Sequence, residues 1–322
     1  MMYESYQRRK PRKHSGLRGK LLLSLLALFL AVLFLLLAGA LALYALPAGL
    51  FAIEPQADLA LSTDLPTSPI CVLLIGVDAE NSGGQRSDTM IIAAIDRDKV
   101  RLASLLRDMV VDIPGVGSDR LNSAYAKGGP ELALRTVNQN FGLSVMHYVM
   151  ADYVTLVRLV DAMDGIDLTI TPEVVEQINH NVLSTGKLFK PLGYNYSELT
   201  VSGENTHLNG LQALGYARIR KLDSDFVRTS RQRAVLAAMR RKLACSLWNP
   251  VLLARTGTAA LSSLRTDLNA AQLLSLGLKA LASGEVETLR VPVDGSFEDT
   301  DSVIFLTDPA LNRNSLREFL YR

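Results

Sequence analysis

The feature that most constrains this chain is an apolar segment near its start: residues 21–46 contain no charged side chain and consist largely of leucine and alanine. About 20 such residues are enough to cross a bilayer as a helix. The apolar part of a cleaved signal peptide is shorter, at about 7–15 residues. We therefore predict a transmembrane signal-anchor helix over residues 21–46, with cleavage after Ala38-Gly39-Ala40 as the alternative.

Charge sets the expected orientation of this helix. Residues 1–20 carry seven basic side chains and a single acidic one, Glu4. Basic residues beside a membrane anchor stay in the cytoplasm. The pattern therefore predicts a cytoplasmic tail over residues 1–20 and an extracytoplasmic location for everything after the helix. Residues 51–322 carry 27 basic and 31 acidic side chains, a net charge of −4, which argues against nucleic acid as a partner.

The remainder of the chain predicts a linker and one folded domain. Residues 47–68 are rich in Pro, Ser, Thr and Asp, as linkers are. Residues 69–322 are enough for one domain with a large core. Short apolar runs predict strands at residues 70–76, 90–95, 100–105, 148–150, 166–170 and 287–293, and helical spacing predicts helices at 130–141, 153–163, 226–247 and 268–282. This interleaving predicts an α/β fold, a three-layer α-β-α domain with a central mixed sheet.

The two cysteines, Cys71 and Cys245, both lie in the part predicted to be extracytoplasmic, where disulfides can form. Cys71 opens an apolar run that suits a strand, in which a thiol packs as a small apolar group. We therefore favour two buried, unpaired cysteines over a disulfide.

Two aspartates flank a glycine-containing loop between the first two predicted strands. Asp78 follows the first strand and Asp88 precedes the second. Adjacent strands would bring both carboxylates to one edge of the sheet, and such oxygen ligands suit Mg²⁺, which leaves positions for phosphate oxygens. Ordinary turn chemistry at strand ends is the alternative.

Arginines are concentrated between residues 218 and 233. Arg218 and Arg220 would share one face of a strand, and Arg228 and Gln232, four residues apart, would share one face of the following helix. Arginine forks bind phosphate oxygens, so this convergence predicts a site for a multiply charged anion. A solvated run of charge and a nucleic-acid patch are the alternatives. Arg231 and Arg233 are offset and predicted to face solvent.

Seven motifs lie in order over roughly residues 70–245: Leu73-Leu74-Ile75-Gly76-Val77-Asp78, Arg86-Ser87-Asp88-Thr89-Met90, Arg107-Asp108 with Ile113-Pro114-Gly115, Leu121-Asn122-Ser123-Ala124-Tyr125 with Gly128-Gly129-Pro130-Glu131, Gly165-Ile166-Asp167, Gly210-Leu211-Gln212-Ala213-Leu214, and the run from Arg218 to Gln232. Together and in this order they resemble the LytR-CpsA-Psr family of membrane-anchored bacterial enzymes, which attach glycopolymers to peptidoglycan. One departure is Leu106, which stands where the family usually has proline before the Arg-Asp pair.

The resemblance implies roles for particular residues. Asp78 and Asp88 would hold Mg²⁺ against a pyrophosphate, and Asp225 would orient an arginine or assist proton removal. Arg107 and Arg218 would act in catalysis as well as in binding. The pyrophosphate would be bound by a larger set: Arg86, Arg107, Arg218, Arg220, Arg228 and Gln232.

The resemblance also implies a function. We expect a Mg²⁺-dependent phosphotransferase that moves a glycopolymer from a polyprenyl-pyrophosphate carrier, held in an apolar tunnel, to a peptidoglycan hydroxyl. Polyprenyl phosphate would be released at the outer face of the membrane of a Gram-positive bacterium. A hydrolase acting on the same lipid, and a non-catalytic module that binds or senses lipid pyrophosphate, are the alternatives. The glycopolymer, the prenyl length, the acceptor hydroxyl and the oligomeric state stay open.

Overall fold

The elements of the fold come from a computed structural model that describes residues 58–77, 87–96, 99–195, 197–219, 225–300 and 303–322, with the backbone alone at 187, 188, 225 and 226. The strands are β1 (Ile70–Val77), β2 (Ser87–Ile95), β3 (Lys99–Leu105), β4 (Val110–Ile113), β5 (Gly117–Arg120), β6 (His147–Asp152), β7 (Ile166–Ile170), β8 (Gly203–Leu208), β9 (Arg265–Thr266), β10 (Glu285–Val291), β11 (Phe297–Asp299) and β12 (Ile304–Leu306). The helices are α1 (Leu121–Phe141), α2 (Tyr153–Ala162), α3 (Pro172–Phe189), α4 (Gly210–Ala217), α5 (Asp225–Cys245), α6 (Pro250–Ser263), α7 (Ala270–Ala282) and α8 (Pro309–Tyr321), and a 3₁₀ turn spans Lys190–Leu192.

The central sheet has six strands in the order β10-β3-β2-β1-β6-β9. β1, β2 and β3 form an antiparallel meander, whereas β6 lies parallel to β1 and β10 lies parallel to β3. The predicted α/β fold with a central mixed sheet is therefore confirmed. The second and third strands pair antiparallel, with Ile95 opposite Val100.

Both faces of the sheet are covered by helices. Side chains alternate along each strand, so apolar residues point to both faces and are buried on each. Leu73 and Ile75 of β1 face one side, where α1 and α8 cover them. Val72 and Leu74 face the other side, where apolar residues of α7 and α5 pack. This two-sided burial is why β1 is an almost uninterrupted apolar run.

A second hydrophobic core lies among the helices rather than on the sheet. It is built from α2, α3, α4, part of α5 and the small antiparallel pair β7–β8. The strand predicted at residues 166–170 is thus present, but it pairs with β8 and lies outside the central sheet.

Helix boundaries follow local signals. Asp152 caps α2 through a hydrogen bond from the Thr155 amide to its side chain (2.7 Å), as its position predicts. Within α1 the backbone leaves helical geometry at Gly128 and Gly129, and Gly129 has φ +66°. The helical segment after this break begins at Pro130, where the sequence predicts one. Helices α3, α4, α6 and α8 were not predicted. Three of them, α3, α6 and α8, begin with a proline in the first turn.

The predicted transmembrane segment, residues 21–46, lies outside the described residues, as does the predicted tail. In the part of the chain that the structure describes, every helix is too short or too polar to cross a membrane. Residues 58–68, expected as the end of the linker, pack on the folded part. Leu59 is buried in the sheet core, and the Ser62 amide donates to the Leu143 carbonyl (3.0 Å).

Both cysteines are free, in agreement with the preference for unpaired thiols. Cys71 is buried, and its burial raises the pKa of the thiol to about 12. Cys245 is exposed at the end of α5, so the expectation of a buried thiol is wrong there. The reason is that Cys245 is the last residue of α5 and lies beyond the middle of the helix, which packs on the hydrophobic core.

We predict opposite effects for one substitution at two glycines. At Gly210 a Cβ atom would lie 2.4 Å from the backbone oxygen of Val157, because α4 packs closely on α2. Gly210→Ala should lower the free energy of unfolding by about 2 kcal/mol, a typical cost of overpacking. At Gly277, inside α7, no described atom outside its chain neighbours and its own helix backbone lies within 4 Å of the position that a Cβ would take, so Gly277→Ala should raise stability by about 0.5–1 kcal/mol. Equilibrium denaturation measures both, and equal effects would refute the close approach at Gly210.

Candidate functional site

A cavity of about 600 Å³ lies between the second face of the sheet and the helical core. Most of its wall is apolar. The apolar side chains come from β1, β2, β6, α2, α4 and α5: Leu74, Ile91, Val149, Leu156, Leu159, Leu214, Val235, Leu236 and Met239. The charged and amide side chains in the wall include Asp88, Arg218, Arg228 and Gln232, four of the residues predicted to form the site. The cavity can therefore accept a molecule that is apolar along most of its length and anionic in one part.

Asp88 binds the arginine of the predicted Arg-Asp pair. Arg107 Nη1 donates to Asp88 Oδ1, and Arg107 Nε donates to Asp108 Oδ2 at 3.1 Å. Arg120 Nη1 lies 3.7 Å from the other Asp108 oxygen. The Arg107 and Asp88 side chains retain only 18% and 19% of their exposure, so solvent screens this pair less than a surface ion pair.

Leu106, which stands before the Arg-Asp pair where the family usually has proline, makes a backbone contact of its own. The Leu106 amide donates a hydrogen bond to the Val291 carbonyl (2.9 Å), which a proline could not do. This bond belongs to the last residue pair of β3 and β10, Leu105 with Val291. It fixes the backbone that leads into Arg107.

Tyr153, which the sequence did not single out, links the aspartate to the second predicted arginine. Its hydroxyl donates to Asp88 Oδ2 at 3.4 Å, and its ring lies under the Arg218 guanidinium at 4.8 Å. Arg218 Nη1 also donates to Thr185 Oγ1 at 2.5 Å. The Tyr153 ring and the Thr185 hydroxyl both contact the Arg218 guanidinium, whose other N–H donors can bind an anion. The sequence signal for Tyr153 was its place directly after the Asp152 cap.

Helix α5 presents Arg228 and Gln232 to the cavity on one face, as predicted. Arg228 is 3% exposed, and Gln232 Oε1 is buried with no hydrogen-bond partner among the described residues. Further along the same helix, Val235, Leu236 and Met239 line the cavity. The helix thus carries its polar contribution near its start and its apolar contribution beyond it.

Two predictions about the arginine-rich segment are wrong. Arg218 does not lie in a strand: it follows α4 as its C-cap residue, because Asn209 and Gln212 form a capping box that starts a helix there.

Arg231 and Arg233 do not face solvent. Arg231 is buried and donates to the Ile219 carbonyl (3.4 Å), and Arg233 donates to Ser104 Oγ (2.8 Å), so the segment packs against the rest of the fold.

The remaining predicted site residues fall where side chains are not described. Asp78, Arg86 and Arg220 lie outside the described residues, and Asp225 is described by its backbone alone, as the first residue of α5. Val77, the neighbour of Asp78, pairs with Ser87, the neighbour of Asp88. The proximity of the two aspartates stays a prediction.

The described residues contain no cluster of three or more His, Cys, Asp or Glu side chains suited to a metal ion. Mg²⁺ does not require one, since it is often held by one or two carboxylates together with substrate phosphate. The hard carboxylate oxygens of Asp88 at the cavity wall fit that mode of binding. Both oxygens contact protein donors here, so a cation would compete with Arg107 for one of them.

Comparisons with known proteins agree on one family. The family model described as "LytR_cpsA_psr family" matches residues 52–318. The polyisoprenyl-teichoic acid–peptidoglycan teichoic acid transferase TagU of Enterococcus faecalis is 33% identical over 258 residues, 76% of this chain and 77% of that protein. The regulatory protein MsrR of Staphylococcus aureus is 27% identical over 262 residues, 78% of this chain and 74% of that protein.

Among solved structures, the LytR-CPS2A-psr family protein YwtF (TagT) with bound octaprenyl pyrophosphate lipid shares the fold. Its TM-score is 0.58 at 23% identity, over 83% of this chain and 99% of that one.

Inorganic pyrophosphate should bind through Arg218. We expect Arg218→Ala to weaken binding by about 2 kcal/mol, roughly thirtyfold, the size of a lost hydrogen bond to a charged group. The matched control is Arg241→Ala, which removes an exposed arginine from the later part of α5 and should leave the affinity unchanged. Isothermal titration calorimetry compares them, and equal losses would show that general charge, rather than this site, attracts the anion.

Tyr153 should act mainly through its ring. Tyr153→Leu removes the surface under Arg218 and should weaken pyrophosphate binding by about 1 kcal/mol, roughly fivefold. Tyr153→Phe keeps the ring and loses a long hydrogen bond to Asp88, so its effect should stay within about twofold. The same titration separates them. A larger loss in Tyr153→Phe than in Tyr153→Leu would show that the hydroxyl, not the ring, positions the site.

Proposed function

Because the chain belongs to the LytR-CpsA-Psr family, we propose that it transfers a phosphate-linked glycopolymer from a polyprenyl-pyrophosphate carrier to a hydroxyl of peptidoglycan. The observation that carries this proposal is the composition of one cavity: an extended apolar wall that also contains Asp88, Arg218 and Arg228. A prenyl pyrophosphate matches this composition, since its long chain is apolar and its pyrophosphate end is anionic. The relative TagU is named as a teichoic acid transferase, and TagT is described with octaprenyl pyrophosphate bound, which supports the proposal.

In this proposal the arginines bind and orient the pyrophosphate. Arg218 and Arg228, with Arg107 freed from Asp88, donate to its oxygens, and Gln232 adds an amide. Arg86 and Arg220 complete the set. Phosphoryl transfer depends mainly on positioning and on stabilising charge that develops on the oxygens, and arginine donors provide both. The buried position of Arg228 strengthens its interaction with an anion, because little water competes.

The reaction exchanges one phosphorus–oxygen bond for another. The acceptor hydroxyl oxygen attacks the phosphorus that carries the glycan, and the bond from that phosphorus to the bridging oxygen breaks. Polyprenyl phosphate leaves with the bridging oxygen, and the glycan stays joined to the acceptor through a phosphodiester. The hydroxyl proton leaves with a base. Asp225 is our candidate for that role or for orienting an arginine.

We further propose that Asp88 and Asp78 hold Mg²⁺. The cation would supply positive charge to the pyrophosphate oxygens, including those of the polyprenyl phosphate that leaves. Asp88 would then exchange Arg107 for the cation when substrate binds, which leaves Arg107 to the phosphate. This exchange accounts for a salt bridge in the site whose partners are both assigned to substrate binding.

We place the reaction at the outer surface of the membrane. Residues 21–46 would anchor the chain, the tail would remain in the cytoplasm, and the folded part would meet both the lipid-linked donor and peptidoglycan outside. The free thiols are compatible with that location, since Cys71 is buried and has no disulfide partner in reach among the described residues.

The test is a transfer assay on the full chain in detergent, with a synthetic polyprenyl-pyrophosphate sugar and peptidoglycan fragments. We expect release of polyprenyl phosphate together with a glycan–peptidoglycan adduct, both lost when Mg²⁺ is chelated. Arg218→Ala should lower turnover by about 10²–10³-fold, the usual cost of one charge-stabilising donor. Arg313→Ala, an exposed arginine on α8, is the matched control and should keep full turnover.

Other outcomes would favour the alternatives. Release of polyprenyl phosphate without an adduct would identify a hydrolase. Tight binding of the lipid with no release, unaffected by Asp88→Ala, would identify a binding or sensing module. Full activity with a chelator present would refute the role of Mg²⁺ while leaving the transferase intact.

A further inference from the structure

The most exposed large apolar side chain among the described residues is Trp248, at 81% exposure. It lies in the short connection between α5 and α6, beside Leu247 (53%) and Val251 (66%). These three residues, the Trp248 patch, lie within five positions of one another in sequence and are all exposed. Large apolar side chains that are exposed together, rather than singly, are typical of interaction sites.

The charge around the patch is segregated from the charge of the rest of the folded part. Residues 226–266 contain eight basic side chains and no acidic one, although residues 51–322 carry a net charge of −4. Some of these arginines are buried in the site. Arg241 is exposed and Lys242 is half-buried at the end of α5, within two turns of the patch. These two side chains, the basic rim, together with the apolar patch complement an anionic surface with an apolar interior.

The indole of Trp248 can leave water without losing a hydrogen bond. Its Nε1–H already donates to the Cys245 carbonyl at 3.0 Å, one of the carbonyls that the end of α5 leaves without a helical partner. Burial of an unpaired N–H in lipid would be costly. Because the bond is internal, the ring can enter the headgroup region of a bilayer, where tryptophan is commonly found.

Helix α5 connects the patch to the cavity. Arg228 and Gln232 line the cavity near the start of α5, and Met239 lines it further along. From Met239 to the helix end at Cys245 is a distance of about 9 Å at 1.5 Å per residue. The patch therefore lies just beyond the apolar contribution of α5 and far from its polar one.

We propose that the Trp248 patch, with Arg241 and Lys242 beside it, docks the folded part on an anionic phospholipid bilayer and turns the apolar end of the cavity towards the lipid. The orientation rests on the proposed function, because it matters only if a lipid chain enters the cavity. The docking contact itself does not require that function. It is a second membrane contact, separate from the predicted anchor.

The protein offers a direct probe, since Trp248 is its single tryptophan. The full chain is reconstituted into vesicles of phosphatidylcholine mixed with phosphatidylglycerol, with and without lipids brominated in the acyl chains. We expect the Trp248 emission to be blue-shifted, quenched by the brominated lipid and protected from iodide. In vesicles of phosphatidylcholine alone the quenching should fall.

Two variants control this measurement. Trp248→Phe combined with Phe305→Trp moves the single tryptophan to β12, another exposed position (47%) that belongs to a strand packed on the other hydrophobic core, and this tryptophan should stay accessible to iodide. Arg241→Glu with Lys242→Glu reverses the basic rim and should reduce quenching of Trp248 in the anionic vesicles. An unchanged unfolding midpoint shows that each variant is folded.

The outcomes separate this inference from the proposed function, because the readout is depth in the bilayer and not turnover. Trp248 emission that is open to iodide and insensitive to brominated lipid would overturn the docking surface, even if transfer activity is present. Protection from iodide without quenching by brominated lipid would also overturn it, and would assign the patch to contact between two copies of the chain. Quenching in a chain that lacks transferase activity would retain the docking surface alone.

Discussion

The end of strand β1 is the point on which the site depends. Val77 is paired on one side with Ser87 of β2 and on the other with Asp152 of β6. The antiparallel pairing brings Asp88 to this edge, and the parallel pairing brings the start of α2, where Tyr153 follows its cap. Gly76 allows the strands to approach, since a Cβ there would lie 2.9 Å from the Thr89 Cβ. One strand end therefore fixes two of the groups that surround the anion site.

From that edge the charged contacts extend across three further segments. Arg107 reaches Asp88 from the segment after β3, and Arg218 reaches Tyr153 from the end of α4. Thr185 of α3 holds Arg218 from its other side. Each of these two arginines is thus bound to a neighbour before any ligand arrives. Such prior positioning reduces the conformational entropy that binding would otherwise cost.

Much of this arrangement could be predicted from sequence. What could not be predicted depends on helix capping and on contacts between residues far apart in the chain. The strands of the sheet are short apolar runs, and Asp88, Arg228 and Gln232 follow from local spacing. Arg218 was placed in a strand because alternating residues suggest one, whereas the capping box at Asn209 decides the conformation.

Contacts between distant residues could not be read from local patterns. Arg233 donates to Ser104, 129 residues away in sequence, so no periodicity within the helix could show that it is covered. The stacking of Tyr153 on Arg218 depends in the same way on how α2 and α4 pack. The exposure of Cys245 depends on where α5 leaves the core.

The cavity lies between two cores that are otherwise packed separately. Helix α5 contributes Leu236 to the sheet side and Val235 to the helical side, so it is shared by both. The facing walls of the cavity lack the dispersion contacts that a filled interior would give them. A chain-like apolar ligand would supply those contacts to both walls at once. Its occupancy would therefore raise the cooperativity with which the two cores unfold, and the lipid would serve as part of the protein interior while it is bound.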